Sequence, residues 1–408
     1  MSAHLLSAAS QINQVKKRLR IAVLNRTFAT TGGGAERYSI ALVEQLAARH
    51  EIHVYAQHID HQWPGVSYHT VSAPLLKPRW INQLWFAART WWLTRKGFDV
   101  VHSHENTWHG DVQTVHVLPV KHNLFCGRAG WIRALRWIKV MTSPRLLTYL
   151  FLERFRYAKQ PGRQVVVTSD SLRSIMDSSY PACREMISVI TPGITMPAPV
   201  TALQKRDARG VLGLPTLGLG LLFVANDYRK KGLKTLLEAL SELPADVFLT
   251  VVGNPDQISV FREQVKISGL GKRVFFLGSL KEVAPAYEAA DCLVHPTLED
   301  TFAMVVLEAM SYGLPVVVSG PAYCGIAGLL QDGVNALLLD APKDAVYLRR
   351  ALESVLFQPE LNQKLAQGAS DFARKYEWSA TALKQESLYF SVFAVNHSSL
   401  TGDFTQRK

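Results

Sequence analysis

Several features are scarce or absent in this chain of 408 residues, and each absence excludes a class of protein. The four cysteines, Cys126, Cys183, Cys292 and Cys324, form no CxxC pair. This argues against a disulfide scaffold or a structural zinc site and fits a reducing cytosol. The longest apolar stretches, such as residues 146–152, are far shorter than the roughly 18–20 residues that a membrane-spanning helix needs. The amino-terminal segment also lacks the charged start and apolar core of a secretory signal.

Acidic residues are scarce in the first half of the chain. The net charge is +12, and residues 1–195 contain 24 Lys and Arg against 11 Asp and Glu, whereas residues 196–408 contain 21 against 22. Segments 77–96 and 128–163 are the most basic and also contain six of the nine tryptophans, namely Trp80, Trp85, Trp91, Trp92, Trp131 and Trp137. Basic residues mixed with Trp favour binding to an anionic membrane surface. The alternatives are a solvated basic face with Trp in the core, and nucleic-acid binding.

Apolar residues are abundant, at 48% of the chain, and they occur in short runs that alternate with helical patterns. The runs are rich in Val, Ile, Leu and Phe and cover residues 20–24, 52–55, 99–101, 114–118, 165–168, 187–190, 221–225, 247–252, 274–277, 292–295, 316–318 and 336–339. Because they do not alternate with polar residues, they are typical of strands buried on both faces of a parallel sheet. Leu233, Leu236, Leu237 and Leu240 mark one apolar helix face between two runs. We therefore predict an α/β protein with doubly wound sheets.

A stretch rich in Pro and Gly, residues 191–220, separates two sets of predicted strands. This break predicts two Rossmann-like domains, one of residues 1–195 and one of residues 196–375. Residues 376–408 are expected to form a last helix followed by a frayed tail.

Two loops that follow predicted strands have compositions suited to phosphate. Residues 31–36 contain three consecutive glycines ahead of the first helix, where the backbone can approach a ligand and free N–H groups can bind an anion. The same glycines would also suit a simple tight turn. Residues 229–232 place three cations at the start of the leucine-faced helix, where the helix dipole disfavours positive charge. A bound phosphate would offset this misfit, and a solvated charge run is the alternative.

Two carboxylates stand out in the segment of residues 295–318. Asp300 and Glu308 are eight positions apart, slightly more than two helical turns. If a helix begins near Thr301, both could face one cleft. Glu308 lies among apolar residues, and because a buried carboxylate without a partner is costly, we expect it to bind either a ligand or an internal polar group.

The same segment resembles a known family. The pattern Pro296-x3-Asp300-x-Phe302-x5-Glu308-Ala309-Met310 is similar to the E-x7-E signature of glycosyltransferase family 4, with Asp300 in place of the first Glu. Further segments resemble the family's glycine loop, T-x-H strand end, hinge, phosphate-site Lys-Gly and last helix, at residues 33–36, 114–116, 189–194, 231–232 and 376–378. Loops 226–232 and 324–327 are most similar to those of lipopolysaccharide core α-glucosyltransferases.

The resemblance implies a GT-B fold, in which two Rossmann-like domains face a cleft and the C-terminal helix crosses back to the first domain. It also implies roles for particular residues. Asp300 and His116 would act at the donor sugar. The nucleotide sugar would be bound by Gly33, Gly34, Arg229, Lys231, Phe302, Ala303, Met304 and Glu308. Glu36 and His104 are further candidates on the acceptor side.

The function that this implies is a retaining glycosyltransferase. It would move a hexose from a nucleotide-diphosphate sugar, such as a UDP-sugar, to a cell-envelope glycolipid or saccharide such as lipopolysaccharide core. No cofactor or metal is expected, because clustered cations can meet the diphosphate charge. We expect a cytoplasmic protein, peripheral at the inner face of the cytoplasmic membrane, without a nucleic-acid partner. The alternatives are a nucleotide-sugar epimerase of the same fold and an inert nucleotide-sugar-binding protein, conceivable because of Asp300 and Asn226.

Overall fold

The computed structural model describes residues 17–30, 34–75 and 77–402, and it contains two parallel sheets. The strands of the first sheet are β1 (Arg20–Leu24), β2 (Glu51–Ala56), β3 (Val66–Thr70), β4 (Val100–Ser103), β5 (Val112–Val115), β6 (Gln164–Val167) and β7 (Ile187–Val189). Those of the second are β8 (Leu219–Ala225), β9 (Val247–Gly253), β10 (Val274–Gly278), β11 (Cys292–His295), β12 (Val316–Ser319) and β13 (Leu337–Leu339). Each of the twelve predicted runs overlaps one of these strands, which confirms the α/β prediction.

The strand order places the functional loops. The first sheet is paired in the order β3-β2-β1-β4-β5-β6-β7 and the second in the order β10-β9-β8-β11-β12-β13. In both, the order reverses beside the first strand of the domain, and loops at the carboxyl ends next to such a reversal form a crevice where ligands bind. A separate short ribbon pairs Thr27–Phe28 with His58–Ile59.

Helices cover both sheets. They are α1 (Gly34–Leu46), α2 (Arg79–Thr94), α3 (Val120–Phe125), α4 (Gly130–Met141), α5 (Pro144–Arg156), α6 (Asp170–Ser179), α7 (Ala202–Val211), α8 (Leu233–Ser241), α9 (Ile258–Ile267), α10 (Ala284–Ala289), α11 (Met304–Ser311), α12 (Ala345–Phe357), α13 (Pro359–Ala373) and α14 (Trp378–Gly402). Leu221 and Phe223 of β8 pack in one apolar cluster, whereas Leu222 between them packs in another. The sheet is therefore buried on both faces, as the unbroken apolar runs predicted.

The last helix returns to the first domain, which confirms the expectation taken from the family resemblance. Trp378, Tyr389 and Val392 of α14 are buried in the same apolar cluster as the strands and first helix of that domain. The crossing is joined by backbone hydrogen bonds between Ile194 and residues 376 and 378. The tail beyond residue 402 lies outside the described residues. Among the helices in the described ranges, none combines the length and apolar character that crossing a membrane requires.

Candidate active site

A cleft of about 480 Å³ lies between the domains, at the carboxyl ends of both sheets. Its lining joins residues that follow β1 and β5 in the first domain to residues that follow β8 and β11 in the second. Eight of the residues predicted from the sequence are among those that line it: Gly34, Glu36, His116, Lys231, Asp300, Phe302, Ala303 and Met304. The fold therefore brings the start of the first helix, the T-x-H strand end and the acidic segment to one place.

Three predicted site residues in the described part of the chain are not part of this lining. Arg229 is exposed and borders a separate depression with Asp256. His104 is buried behind His116. Glu308 is not among the lining residues, and its carboxylate is paired with other side chains, as described below; Gly33 lies outside the described residues. Arg229 and Lys231, two cations of one loop, thus lie in different depressions, which the amino-acid sequence alone does not indicate.

Asp300 organises the loop that follows β11. One carboxylate oxygen, Oδ1, accepts hydrogen bonds from the backbone amides of Phe302 (3.2 Å) and Ala303 (2.8 Å). The other, Oδ2, is 2.6 Å from Nζ of Lys231 and 3.1 Å from Nε2 of His295. Burial acts to raise the pKa of Asp300, but the hydrogen bond from His295 and the charge of Lys231 outweigh it and hold the pKa well below its usual range. Asp300 is therefore a fixed negative charge paired with Lys231.

Lys231 reaches Asp300 because the next residue is glycine. Gly232 has a φ of 83°, and a Cβ built on it would lie 2.0 Å from the carbonyl oxygen of Pro296. Only glycine allows both this backbone conformation and this close approach. The Lys231 ammonium also donates to the carbonyl of Glu299 at 2.7 Å. Since an ammonium has three hydrogens, one remains for a ligand in the cleft.

The start of α11 forms the second anion-binding feature. Ala303, which precedes the helix, has φ and ψ both of 69°, a left-handed conformation that is strained for a residue with a side chain. Met304 and Val305, in the first turn, line the cleft. Free backbone N–H groups and the positive end of the helix dipole thus face the cleft beside Lys231. Such an arrangement suits a phosphate or diphosphate.

Glu308 has internal partners from both domains. Its Oε1 is 3.0 Å from Nη1 of Arg37, and its Oε2 accepts a 2.5 Å hydrogen bond from the hydroxyl of Tyr287. Burial, and then the negative charge of Glu308, raise the pKa of Tyr287 well above its usual value. Arg37 belongs to α1 of the first domain and lines the cleft where Glu308 does not. The sequence predicted a polar partner for Glu308, but it missed Arg37 and Tyr287, which lie more than 20 residues away along the chain.

His116 forms the opposite wall as part of a histidine cluster. Its Nε2 is 2.9 Å from Nδ1 of His104, and the ring of His102 lies 4.2 Å from that of His104. Burial above all, together with the positive charge of Arg156, lowers the pKa of His116 to about 3. The imidazole is therefore neutral at physiological pH. In the sequence, only the T-x-H motif identified His116 as a candidate. No local pattern indicated that His102 and His104 would pack behind it.

Hydrogen bonds between the domains hold the two walls together. The hydroxyl of Thr301 donates to the backbone carbonyl of His116 at 3.1 Å. The hydroxyl of Ser169 donates in turn to the backbone carbonyl of Thr301 at 2.7 Å. The residue after Asp300 is thereby fixed to the first domain, so that Asp300 and His116 face a common space.

Among the described residues, no group of three or more His, Cys, Asp or Glu side chains is placed to hold a metal ion. The positive groups that do line the cleft are the Lys231 ammonium, the Arg37 guanidinium and the amides at the start of α11. The absence of a metal requirement remains a prediction.

Comparison with known protein families divides the chain as the sheets do. The family described as "Glycosyltransferase Family 4" matches residues 32–196. The family described as "Glycosyl transferases group 1" matches residues 204–372. Together the two cover most of the chain and include the cleft residues of both walls.

Curated proteins show the same relationship at moderate identity. The chain is 28% identical over 295 residues to a D-inositol 3-phosphate glycosyltransferase of Xylanimonas cellulosilytica, covering 66% of this chain and 70% of the relative. It is 29% identical over 223 residues to the enzyme of the same name from Corynebacterium diphtheriae, covering 52% of each. It is 26% identical over 241 residues to the lipopolysaccharide glucosyltransferase WaaG of Escherichia coli, covering 57% of this chain and 63% of WaaG.

Solved structures confirm the fold. A crystal structure of WaaG, described as a glycosyltransferase involved in lipopolysaccharide biosynthesis, superposes with a TM-score of 0.77 at 22% identity, covering 90% of this chain and 98% of WaaG. HepE of Anabaena, in a complex with UDP and glucose, superposes with a TM-score of 0.72 at 18% identity, covering 92% and 100% of the two chains. At these identities the structures establish the shared architecture and no more.

Proposed function

Because the chain belongs to glycosyltransferase family 4 and has the GT-B fold, we propose that it is a retaining hexosyltransferase. Its donor is a nucleotide-diphosphate sugar, specifically a UDP-sugar, and its acceptor is a cell-envelope glycolipid or saccharide such as lipopolysaccharide core. The observation that carries the proposal is the convergence of Lys231, the start of α11 and His116 on one cleft between the domains. The names of WaaG and of the UDP complex of HepE support the choice of acceptor and donor.

The diphosphate side of the cleft would stabilise the leaving group. Negative charge grows on the diphosphate as its bond to the sugar breaks. The remaining hydrogen of the Lys231 ammonium and the amides at the start of α11 would donate to the phosphate oxygens. Because these groups are already held in place by Asp300 and Gly232, little reorganisation is needed when the charge develops.

The sugar side would stabilise the opposite charge. Asp300 stays ionised and would favour the positive charge that develops on the departing sugar. Glu308 would accept hydrogen bonds from the ribose hydroxyls through the lone pairs that Arg37 and Tyr287 leave free, since each of its oxygens has one of these partners. No second carboxylate is assigned to covalent attack, so we propose substitution on the front face, with the leaving phosphate assisting. His116 would contact the donor from the first domain.

Product analysis tests the activity. The full chain would be incubated with a panel of nucleotide sugars, with and without envelope lipid extract, and products identified by mass spectrometry. We expect hexose transfer only when acceptor is present, and undiminished in EDTA. Isomerised nucleotide sugar formed without acceptor would instead identify an epimerase. Binding of nucleotide sugar without any product would identify an inert binding protein, and loss of activity in EDTA that a divalent ion restores would contradict metal independence.

We also propose that the first domain attaches peripherally to the inner face of the cytoplasmic membrane. All residues of α4 except Val140 are at least partly exposed, and they include Trp131, at 72% exposure, and Trp137, at 48%. Leu147, Phe151 and Phe155 of the adjoining α5 are exposed as well. The basic residues of this region that are at least partly exposed are Arg128, Arg133, Arg136, Lys139, Arg145 and Arg154. An exposed helix with Trp and cations suits an anionic bilayer. The alternative of a solvated basic face required these Trp side chains to be in the core, but Trp131 and Trp137 are exposed.

Co-sedimentation with liposomes tests this attachment. Each cation near an anionic surface contributes about 1 kcal/mol, and salt screens the attraction. The triple variant R133E/R136E/K139E should therefore lose binding to anionic vesicles while it keeps its affinity for UDP. The variant R262E/K266E/K272E changes three exposed cations of the second domain by the same charge and is the control. Equal binding of wild type to neutral and anionic vesicles, or equal losses in both variants, would reject the proposal.

A further inference from the structure

Behind the cleft residue His116 lies a second histidine that does not reach the cleft. Nδ1 of His104 is 2.9 Å from Nε2 of His116, the ring planes differ by 12°, and the centroids are 5.2 Å apart. This centroid distance is close to the N···N distance plus the two ring radii. The imidazoles therefore lie side by side in nearly one plane, which is the alignment that an N–H···N hydrogen bond prefers.

Neighbouring side chains hold the pair in place. The rings of Tyr38 and His116 pack edge to face, with centroids 5.1 Å apart, and the ring of His102 lies against that of His104. His102 is itself fixed, because its Nδ1 is 2.6 Å from the hydroxyl of Tyr389 on the last helix. The position of His116 thus depends on a packed cluster that includes all three histidines.

The two paired rings are neutral, so each carries one N–H. Burial is the main cause that lowers the pKa of His116 to about 3 and that of His104 well below its usual value. The hydrogen bond between them can therefore run in either direction. Its direction decides which nitrogen of His116 carries a proton at the cleft.

The surroundings of His104 favour one direction. Its Nε2 is buried and has no hydrogen-bond partner among the described residues, and its ring borders a narrow apolar cavity with Leu42 and Leu46. If His116 were the donor, His104 would carry its proton on Nε2 and bury an N–H without an acceptor. Orphaned buried N–H groups are rarer than under-satisfied acceptors, so the bare nitrogen is the favoured state at this position.

We infer that His104 is a positioning residue that donates its Nδ1–H to Nε2 of His116 and so fixes His116 in the tautomer with its proton on Nδ1. Since Nε2 of His116 is then occupied, Nδ1–H is the group it offers to the cleft. His116 acts as a hydrogen-bond donor to an oxygen of the nucleotide sugar and not as a base. The identity of that ligand rests on the proposed function, whereas the tautomer is a property of the protein alone.

The tautomer can be measured by NMR of the full chain labelled with ¹⁵N-histidine at pH 7.5. We expect His116 to carry its proton on Nδ1 in the wild type, with the signal assigned through its loss in His116→Ala. His104→Phe removes the donor and should convert His116 to the Nε2–H tautomer. The same variant should lower kcat about ten-fold, which corresponds to the loss of one hydrogen bond to the ligand in the transition state. Its affinity for UDP should be nearly unchanged. His104→Asn, whose amide nitrogen can take the place of Nδ1, should restore most of kcat.

Several results would overturn the inference. A proton on Nε2 of His116 in the wild-type protein would contradict the inference directly. This test needs no variant and therefore stays valid even if His104→Phe does not fold. An unchanged tautomer in a folded His104→Phe protein would contradict the inference as well. His116→Ala separates this inference from the proposed function: wild-type kcat in that variant would remove His116 from the reaction, whatever its tautomer.

Discussion

Lys231 and Arg229 stand two positions apart in one loop, yet their surroundings differ. Lys231 is paired with Asp300 inside the cleft, whereas Arg229 is exposed beside Asp256 in a separate depression. A cation that contacts the leaving group matters most in the transition state, where the diphosphate charge is largest. The two residues therefore form a matched pair in which only the position relative to the cleft differs.

Lys231→Ala should lower kcat at saturating donor by roughly 10- to 150-fold, the equivalent of about 1.5–3 kcal/mol for a hydrogen bond to a charged group. Arg229→Ala should retain activity close to that of the wild type. Steady-state kinetics and thermal melting of both proteins provide the comparison. Equal loss of activity in the two variants would show that the loop acts through its total charge, not through Lys231.

Glu308 allows a second test at the scale of single residues. Glu308→Ala removes the proposed acceptor of the ribose hydroxyls and should weaken UDP binding by about 1.5–3 kcal/mol in calorimetry. Glu353, which pairs with Arg349 on a helix distant from the cleft, is the control, and Glu353→Ala should bind UDP normally. An unchanged dissociation constant for a folded Glu308→Ala protein would leave the carboxylate with a structural role only, as the partner of Arg37 and Tyr287.

At the scale of an element, the loop between β8 and α8 depends on one glycine. Gly232 combines a positive φ with a backbone approach to Pro296 that no side chain could share. Gly269, between α9 and β10, has a similar φ of 70°, but a Cβ at that position would meet nothing within 4 Å. Substitution of Gly269 therefore measures the free-energy cost of the positive φ alone, whereas substitution of Gly232 adds the cost of the clash with Pro296.

Gly232→Ala should therefore lose both stability and activity, because the loop must shift and Lys231 moves away from Asp300. Gly269→Ala should lose only about 1 kcal/mol of stability, the conformational cost, and keep its kcat. Denaturant unfolding and donor kinetics measured on both variants test this. Similar losses of kcat in the two would contradict the importance of the contact with Pro296.

At the scale of the whole molecule, buried neutral histidines link stability to pH. Burial is the main cause that lowers the pKa of His102 and His109 to about 3. Below about pH 6.5 the unfolded chain binds protons that the native state does not, so the free energy of unfolding falls as the pH falls toward 3. The slope is at most about 1.4 kcal/mol per pH unit for each histidine.

His109→Leu isolates one of these contributions. Both ring nitrogens of His109 are buried without a partner among the described residues, so an apolar side chain should cost little at pH 7.5. Between pH 6 and pH 4, its stability should fall less steeply than that of the wild type, by about 1.4 kcal/mol per pH unit. Burial also raises the pKa values of Asp111 and Glu153. Because both residues are present in the two proteins, their contributions to the pH dependence of stability cancel in the comparison. His58→Leu, at an exposed position, is the control, and identical slopes for wild type and His109→Leu would contradict the linkage.

Local patterns in the sequence were sufficient for most of the fold. Most strands of the two sheets are buried on both faces and are therefore apolar throughout, and twelve strands were visible as apolar runs. The break at residues 191–220 separated the two sheets. The strand Val66–Thr70 was missed because it lies at the edge of its sheet with every residue at least partly exposed, so that burial imposes no pattern on it. Most of the residues that line the cleft were predicted from the loops that follow the strands, because the carboxyl ends of parallel strands lie at the same edge of a sheet.

Only the tertiary structure decided how the candidate residues pair. Glu308 meets Arg37, and the last helix meets His102, because the two domains close on each other and the chain crosses back; the partners are hundreds of residues apart. The sequence suggested His104 for acceptor binding, but in the structure it is buried and contacts His116. Arg229 lies in a separate depression, outside the cleft that Lys231 lines. A sequence pattern reports burial and local conformation, which repeat with the period of a helix or strand. The direction of one side chain depends instead on contacts with distant residues, and those exist only once the chain has folded.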